Sequence, residues 1–122
     1  MTHTAAGRTA LGEYGERLAE RHLVAQGLIP LDHNWRCDEG EIDLVLRDGD
    51  TLVVCEVKTR SDDACGHPLE AVGEVKLERL VRLGERWIEA HGLHPPALRI
   101  DVVGVLRPPK GAAVIEHVRG MV

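Results

Sequence analysis

The sequence EIDLVLRDGDTLVVCEVKT, residues 41–59, contains two runs rich in Val, Leu and Ile that are typical of β-strands. The runs cover residues 41–47 and 51–59, and Asp48-Gly49-Asp50 separates them. Asp-Gly between two such runs is a strong signal for a tight hairpin. This stretch therefore predicts an antiparallel hairpin, and the polar side chains along it decide what chemistry the fold can support.

Polar side chains fall at alternate positions of both runs. Because alternate side chains of a strand share a face, Glu41 and Asp43 lie together on the first strand. By the same rule Glu56, Lys58 and Arg60 lie together on the second strand. The turn decides whether these two polar faces are on the same side of the hairpin.

A two-residue loop at Asp48-Gly49 would bring the polar side chains together. In that register Glu41 opposes Glu56 and Asp43 opposes Val54, so the backbones of Asp43 and Glu56 are diagonal neighbours ~7–8 Å apart. A three-residue loop would instead place Asp43 behind the sheet. We expect the two-residue register.

Two helices are predicted, one before and one after the hairpin in the chain. Apolar residues recur at helical spacing over residues 9–26, where Leu11 and Leu18 mark the expected buried stripe, and over about residues 73–91. A glycine follows each helix where a C-terminal stop belongs.

Three further strands would complete the sheet, at residues 29–35, 98–105 and 112–118. Pro30 cannot donate to a strand ladder, which indicates an edge or a strand start for the first of them. Residues 61–68 are polar and rich in turn formers, so we expect a loop there. The order α-β-β-β-α-β-β predicts an α/β fold with a mixed β-sheet flanked by helices, in one domain of all 122 residues.

Composition favours a core-forming domain and limits how it could bind nucleic acid. Hydrophobic residues make up 43% of the chain and charged residues 29%, which is the balance of a globular protein. The net charge of −5 argues against a general polyanion-binding module, so any contact with DNA must come from a local basic patch. The chain has no Phe, which argues against base stacking on exposed rings.

The cysteine and histidine patterns indicate neither disulfides nor zinc. Cys37, Cys55 and Cys65 are odd in number and lack C-x-x-C spacing. His91 and His94 stand three apart without partners at zinc spacing, so exposed imidazoles are expected. The sequence has no apolar leader pattern and no apolar run of ~18 residues. We therefore expect a cytoplasmic protein with reduced thiols that is neither exported nor embedded in a membrane.

Asp43 and Glu56 are hard oxygen donors that could reach one cation between them. Mg²⁺ needs only one or two protein carboxylates and fills its other positions with water and substrate oxygens. Lys58, on the same face, could stabilise an attacking hydroxide or the charge that builds on a phosphate. The alternative is a solvated sheet face whose cross-strand ion pairs contribute little.

Six separated motifs stand in order along the chain. They are Gly12-x-x-Gly15-Glu16-x-x-Ala19, Asn34-x-Arg36, GEIDLV at residues 40–45, Glu56-Val57-Lys58-x-Arg60, Lys76, and Arg99-x-Asp101-Val102. Their order and spacing resemble the YraN-like family of small bacterial proteins, over nearly the whole chain. That family belongs to the restriction-endonuclease-like PD-(D/E)xK superfamily and is similar to archaeal Holliday-junction resolvases. Cys55 and Cys65 depart from the family pattern, since aromatics are usual at both positions.

The resemblance implies a nuclease site on the sheet, with Mg²⁺ or Mn²⁺ as cofactor. Asp43 and Glu56 would be metal ligands and Lys58 the catalytic lysine. Glu16 matches the accessory acidic residue of the superfamily. Its helical position lies away from the Leu11 stripe, so it either reaches the metal from the helix edge or is a solvated glutamate.

Basic residues near the site are the candidates for substrate binding. Lys76 matches a phosphate-contacting position near the start of the second helix, where an anion would also be favoured. A solvent-facing lysine is the simpler alternative for Lys76, and we prefer it slightly. Arg60 is the other candidate, and Glu41 is either a further metal ligand or the partner of Arg60.

The sequence thus predicts a metal-dependent endonuclease that hydrolyses DNA phosphodiester bonds, with branched or otherwise unusual DNA among the candidate substrates. The alternative is a catalytically silent nucleic-acid-binding or protein-docking module on the same fold. A homodimer is left open. Arg99 and Asp101 share a strand face and are expected to form a structural salt bridge.

Overall fold

Two helices and five strands follow the predicted order in the structure, a computed structural model that describes residues 9–61 and 73–122. Most of the predicted loop at residues 61–68, with Cys65, lies outside the described residues. No described helix is long and apolar enough to cross a membrane. The elements are α1 (Ala10–Ala25), β1 (Ile29–Cys37), β2 (Gly40–Asp48), β3 (Thr51–Arg60), α2 (Glu74–His91), β4 (Ala97–Leu106) and β5 (Val114–Val118).

The strands form one mixed sheet in the order β1-β2-β3-β4-β5. Among the strands of residues 9–61 and 73–122, only β3 and β4 pair in parallel, and α2 lies in the connection between them. The other three pairs are antiparallel. β1 is an edge strand with an irregularity between Pro30 and Asp32, as expected for a strand that contains a proline. The predicted α/β fold with a mixed sheet between helices is confirmed.

Each face of the sheet carries its own hydrophobic cluster under one helix. The first cluster joins α1 to one face, and the second joins α2 to the other. The first includes Ala19, Leu23, Leu44, Leu46, Val53, Cys55, Val103 and Val105. The second includes Ile42, Val45, Leu52, Val54, Leu80, Leu83, Trp87 and Ile100.

The buried face of α1 is centred on small residues rather than on the predicted Leu11/Leu18 stripe, although Leu18 packs, partly buried, against the first cluster. The buried residues of α1 are Gly15, Ala19 and Leu23. A Cβ atom placed on Gly15 would come within 2.9 Å of Thr59 Cβ, so only glycine allows this approach of α1 to β3. Small residues bring the helix backbone close to the sheet, and close approach outweighs the area that larger apolar side chains would cover.

The β2-β3 hairpin has a two-residue loop, but the loop lies one residue later than predicted. Asp48 pairs with Thr51, so Gly49-Asp50 is the loop. The predicted pairing of Asp43 with Val54 was wrong, because Val54 pairs with Val45. Gly49 has a φ of 63°, and glycine with positive φ suits the first loop position of a type II′ turn. The partner of each β2 residue therefore lies two positions further along β3 than predicted. A shift of two positions leaves each side chain on its predicted side of the sheet.

Candidate active site

The regular pattern of β2 breaks at Asp43, and this break creates the site. The β2-β3 ladder begins at the hairpin loop and its last pair is Leu44 with Cys55. Ile42 and Val45 both pack in the cluster under α2, three positions apart, so strict alternation does not hold across Asp43. The regular alternation along β2, on which the predicted face of Glu41 and Asp43 depended, is therefore interrupted at Asp43.

Asn34 on β1 lies beside this break. It falls between the β1-β2 pairs His33 with Leu44 and Trp35 with Ile42, and its φ of 54° is left-handed. Asn34 Nδ2 donates to Glu16 Oε1 at 3.1 Å, so a strained backbone position on the edge strand holds the acidic side chain of α1. The sequence motif contained Asn34, but nothing in its pattern indicated the left-handed conformation.

Beyond the last ladder pair, the side chain of Asp43 rather than a backbone carbonyl of β2 accepts the next hydrogen bond from β3. Its Oδ2 accepts a hydrogen bond from the backbone N–H of Val57 at 2.8 Å. Burial raises the pKa of Asp43 to about 8, and the negative charge of Glu56 adds to the rise, while the hydrogen bond from Val57 opposes it. The charges of Glu16 and Glu41 raise the pKa further. Three acidic side chains, Glu56, Glu16 and Glu41, thus act on Asp43.

Glu56 is buried, with 7% of its surface exposed, and two ammonium groups meet it. Lys76 Nζ lies 2.7 Å from Glu56 Oε2, and Lys58 Nζ lies 3.4 Å from the same oxygen. Burial lowers the pKa of Lys58, and so does the neighbouring Lys76. Burial also acts to lower the pKa of Lys76, but its contacts with Glu56 and Lys58 outweigh this and the pKa rises.

The expectation of a solvent-facing Lys76 was therefore wrong. Lys76 stands in the first turn of α2, and α2 packs on the face of the sheet to which Glu56 points. Its stem can bring the ammonium to Glu56 while part of the side chain keeps contact with solvent. The sequence placed Lys76 on the correct helix but could not indicate its distance from β3.

Two hollows meet at the acidic side chains. A hollow of about 310 Å³ lies on the α1 side, and Thr9, Gly12, Glu16, Lys58 and Arg60 are among the residues that line it. A hollow of about 200 Å³ lies on the α2 side, lined in part by Lys76 and Arg79. Both hollows are lined by Glu41, Asp43 and Glu56.

Glu41 and Arg60 do not form the pair that the sequence left open. The buried atoms Glu41 Oε2 and Arg60 Nε have no hydrogen-bond partner among the described residues. A buried carboxylate oxygen without a donor is costly, and a cation or a substrate group would remove that cost. Arg60 lines the larger hollow, where it could bind a phosphate.

Comparison with known proteins gives the family. A family model described as "Uncharacterised protein family UPF0102" matches residues 15–105. The chain belongs to this family. A UPF0102 protein from Nocardioides sp. is 57% identical over 123 residues, which cover 99% of each chain. A UPF0102 protein from Streptomyces coelicolor is 59% identical over 116 residues, which cover 93% of this chain and 89% of the relative. These names confirm the YraN-like resemblance at the level of the family.

The carboxylates of this UPF0102 chain suit a hard divalent cation whose remaining ligands are water and substrate oxygens. Among residues 9–61 and 73–122, no group of three or more His, Cys, Asp or Glu side chains is arranged to hold a metal ion. Mg²⁺ does not need three protein ligands, since one or two carboxylates with waters and substrate oxygens satisfy its octahedron. Glu41 Oε2 has no hydrogen-bond partner among the described residues, and the pKa of Asp43 is raised. Both observations indicate that the acidic side chains have too little positive charge around them.

The structure confirms the predicted salt bridge between Arg99 and Asp101, away from this site. Arg99 Nε donates to Asp101 Oδ1 at 2.9 Å, and Asp101 is fully buried. Asp101 also contacts His117 Nε2 at 2.8 Å and accepts from the backbone N–H of Gly120 at 2.9 Å. This network ties β4 to β5 and the segment after it, which is a structural role.

Proposed function

We propose that this UPF0102 protein is a Mg²⁺- or Mn²⁺-dependent endonuclease that hydrolyses DNA phosphodiester bonds on a PD-(D/E)xK site. The observation that supports this most is the wall shared by the two hollows. It presents the carboxylates of Asp43, Glu56 and Glu41 together, with the ammonium of Lys58 beside them. Carboxylates with an adjacent lysine at the end of a hairpin are what metal-assisted phosphodiester hydrolysis needs.

Asp43 and Glu56 would hold the metal, with Glu41 as a further ligand. When bound, such a cation stabilises charge on phosphoryl oxygens and lowers the pKa of a coordinated water. The hydrogen bond from Val57 N–H fixes Asp43 Oδ2, so Oδ1 would be the oxygen that binds the cation. Glu16, held by Asn34, lines the hollow on the α1 side and acts from there.

Lys58 acts on the attacked phosphate. Its ammonium reaches the acidic wall from β3, and a compact cation there stabilises the negative charge that builds on the phosphoryl oxygens. Burial lowers the pKa of Lys58, which makes its proton easier to donate to a leaving oxygen. Glu56 keeps this ammonium oriented through a contact of 3.4 Å.

The substrate we propose is DNA, including branched forms. A net charge of −5 excludes broad attraction to a polyanion, so the local cations Lys58, Arg60 and Lys76 must attract the backbone phosphates. Action on DNA would place the protein in the cytoplasm. The larger hollow is open to a phosphate between Arg60 and the start of α1, where backbone N–H groups favour an anion.

The test is cleavage of defined DNA by purified protein. Linear, nicked, single-stranded and four-way DNA are incubated with Mg²⁺ or Mn²⁺, and the products are separated on a denaturing gel. We expect cleavage of at least one substrate, and a loss of roughly 10²-fold to 10³-fold in rate for Lys58→Ala, by comparison with other charge-stabilising groups. Lys110→Ala is the matched control, because Lys110 is exposed in the turn before β5.

Two results would contradict the proposal. One is intact DNA of every form with either metal. The other is equal cleavage rates for the wild-type protein and Lys58→Ala.

One contact favours the alternative, a silent binding module. Lys76 Nζ lies 2.7 Å from Glu56 Oε2, so an ammonium group of the protein already neutralises part of the proposed metal site. If this is the final state of the site, DNA binding will need no metal and will survive Asp43→Ala. Fluorescence anisotropy with labelled four-way DNA, with and without EDTA, measures this directly.

A further inference from the structure

Lys76 and Lys58 share a single carboxylate oxygen, and this arrangement is unusual for a site that must also hold a divalent cation. Both ammonium groups meet Glu56 Oε2, at 2.7 Å and 3.4 Å. They reach it from different elements, because Lys58 is on β3 and Lys76 is on α2. A carboxylate oxygen with two ammonium partners has little capacity left for a metal ion.

The two lysines differ in how they could leave. Lys58 is on β3, where it pairs with Gly104 of the neighbouring strand β4, so its backbone is fixed two residues from Glu56. Lys76 comes from the first turn of α2, and 30% of its side chain is exposed. A long, partly exposed side chain near a helix start can move into solvent without a change in the fold. The hollow on the α2 side gives it room.

We propose that Lys76 is a built-in competitor of the metal, and this proposal rests on the proposed function. In the metal-free protein its ammonium holds Glu56 Oε2 and compensates the charge of a buried carboxylate. When the site is loaded, Lys76 gives up Glu56 and turns into the hollow on the α2 side. There it is free to contact a backbone phosphate of the substrate. Lys76 is thus a positioning residue whose place depends on the state of the site.

The consequence is a metal affinity that is weak until substrate arrives. A cation that binds Glu56 Oε2 must first break the contact with Lys76, so the ammonium lowers the apparent affinity. A DNA phosphate gives the displaced ammonium a new partner, so DNA and metal should favour each other's binding. A site with this property stays largely unloaded away from DNA.

The first test is Mn²⁺ binding by isothermal titration calorimetry, without DNA and at a fixed pH. A charge-assisted hydrogen bond is strong enough to shift an equilibrium by a factor of ten. We therefore expect Lys76→Gln to bind Mn²⁺ roughly tenfold more tightly than the wild-type protein. Lys76→Arg keeps a cation on Glu56 and should return the affinity to near the wild-type value.

Arg79→Gln is the matched control for net charge. Arg79 is exposed on the same helix and lines the same hollow, so this change removes one positive charge nearby. No ion pair between Arg79 and the site acids is found within the described residues. We expect its effect on Mn²⁺ affinity to stay below roughly threefold, since exposed charges are screened.

The second test observes the lysine itself. The chain has only three lysines, so the ¹⁵N signals of their side-chain ammonium groups can be assigned with single variants. We expect the Lys76 signal to be visible and slow to exchange in the metal-free protein and to shift or broaden when Mg²⁺ is added. The Lys110 signal serves as the reference that should not change.

The outcomes separate this proposal from the proposed function. If wild-type protein binds Mn²⁺, Asp43→Asn does not, and Lys76→Gln binds no more tightly, the metal site stands and the competitor role of Lys76 is overturned. A Lys76 signal that is unchanged by Mg²⁺ overturns it as well. If neither the wild-type protein nor Lys76→Gln binds Mn²⁺, both proposals fail.

Discussion

Asp43→Asn should remove a specific pH dependence from the stability of the metal-free protein. The pKa of Asp43 is about 8 in the folded chain, against an ordinary value of 3.8, because of burial first and the charge of Glu56 second. Between these values the folded chain keeps Asp43 protonated while the unfolded chain has it ionised. The stabilising effect of protonation is therefore full below the unfolded pKa and is lost as the pH rises through about 8.

The magnitude follows from linkage. One proton bound in the folded state and not in the unfolded state lowers the free energy of unfolding by ~1.4 kcal/mol for each pH unit. From about pH 5 to pH 7 the loss at this one site is therefore roughly 3 kcal/mol. An asparagine amide has the same shape, can accept the hydrogen bond from Val57 N–H, and does not titrate.

The assay is urea unfolding in EDTA at several pH values, for wild-type protein and Asp43→Asn. All other ionisable groups are common to the two proteins, so the difference between the two curves isolates the effect of Asp43. We expect the variant to gain stability relative to wild type as the pH rises from about 5 to 7, by the linkage value given above. Curves that run parallel over this range would refute the reasoning. Added Mg²⁺ should abolish the difference in slope, because an ionised Asp43 would then have a partner.

Two further predictions concern the scaffold. Gly15→Ala should destabilise the protein by roughly 1–3 kcal/mol, because the new methyl group would overlap Thr59 on β3. Gly12→Ala on the same helix meets only Thr9 Oγ1 at 3.3 Å and should be near neutral in thermal unfolding, so equal effects of the two changes would contradict this. Asp101→Asn should cost roughly 1–3 kcal/mol, since one carboxylate oxygen that accepts in the network is lost while Arg99 keeps its contact with Asp48, and urea unfolding would show no such loss if the network were dispensable.

Sequence patterns predicted the elements well because each has a strong local signal. The hairpin followed from two apolar runs and an Asp-Gly pair, and α2 from an apolar stripe that the structure buries at Leu80, Leu83 and Trp87. Tertiary packing overrode the pattern in α1. There Gly15 allows the close contact with β3, and the spacing of apolar residues does not identify a glycine as the centre of a buried face.

The sequence predicted which residues line the candidate site better than it predicted how they are arranged. Parity along β2 and β3 is a local property, so a two-residue loop of either position brings Asp43 and Glu56 to the same side. The slip of alternation at Asp43 lies beside Asn34 on another strand, and the contact of Lys76 with Glu56 depends on how α2 docks. Both are long-range consequences of packing that the sequence does not encode locally.

The hairpin also sets the order in which the site can assemble. Asp43 and Glu56 lie in adjacent strands closed by a two-residue loop, so the entropy lost in joining them is small. The pairing of β3 with β4 needs the α2 crossover and a much longer loop closure, which makes it slower. During synthesis, Glu41, Asp43 and Glu56 are therefore all in the chain before α2 has been made. A nascent chain would present its carboxylates without the internal cation that later covers them.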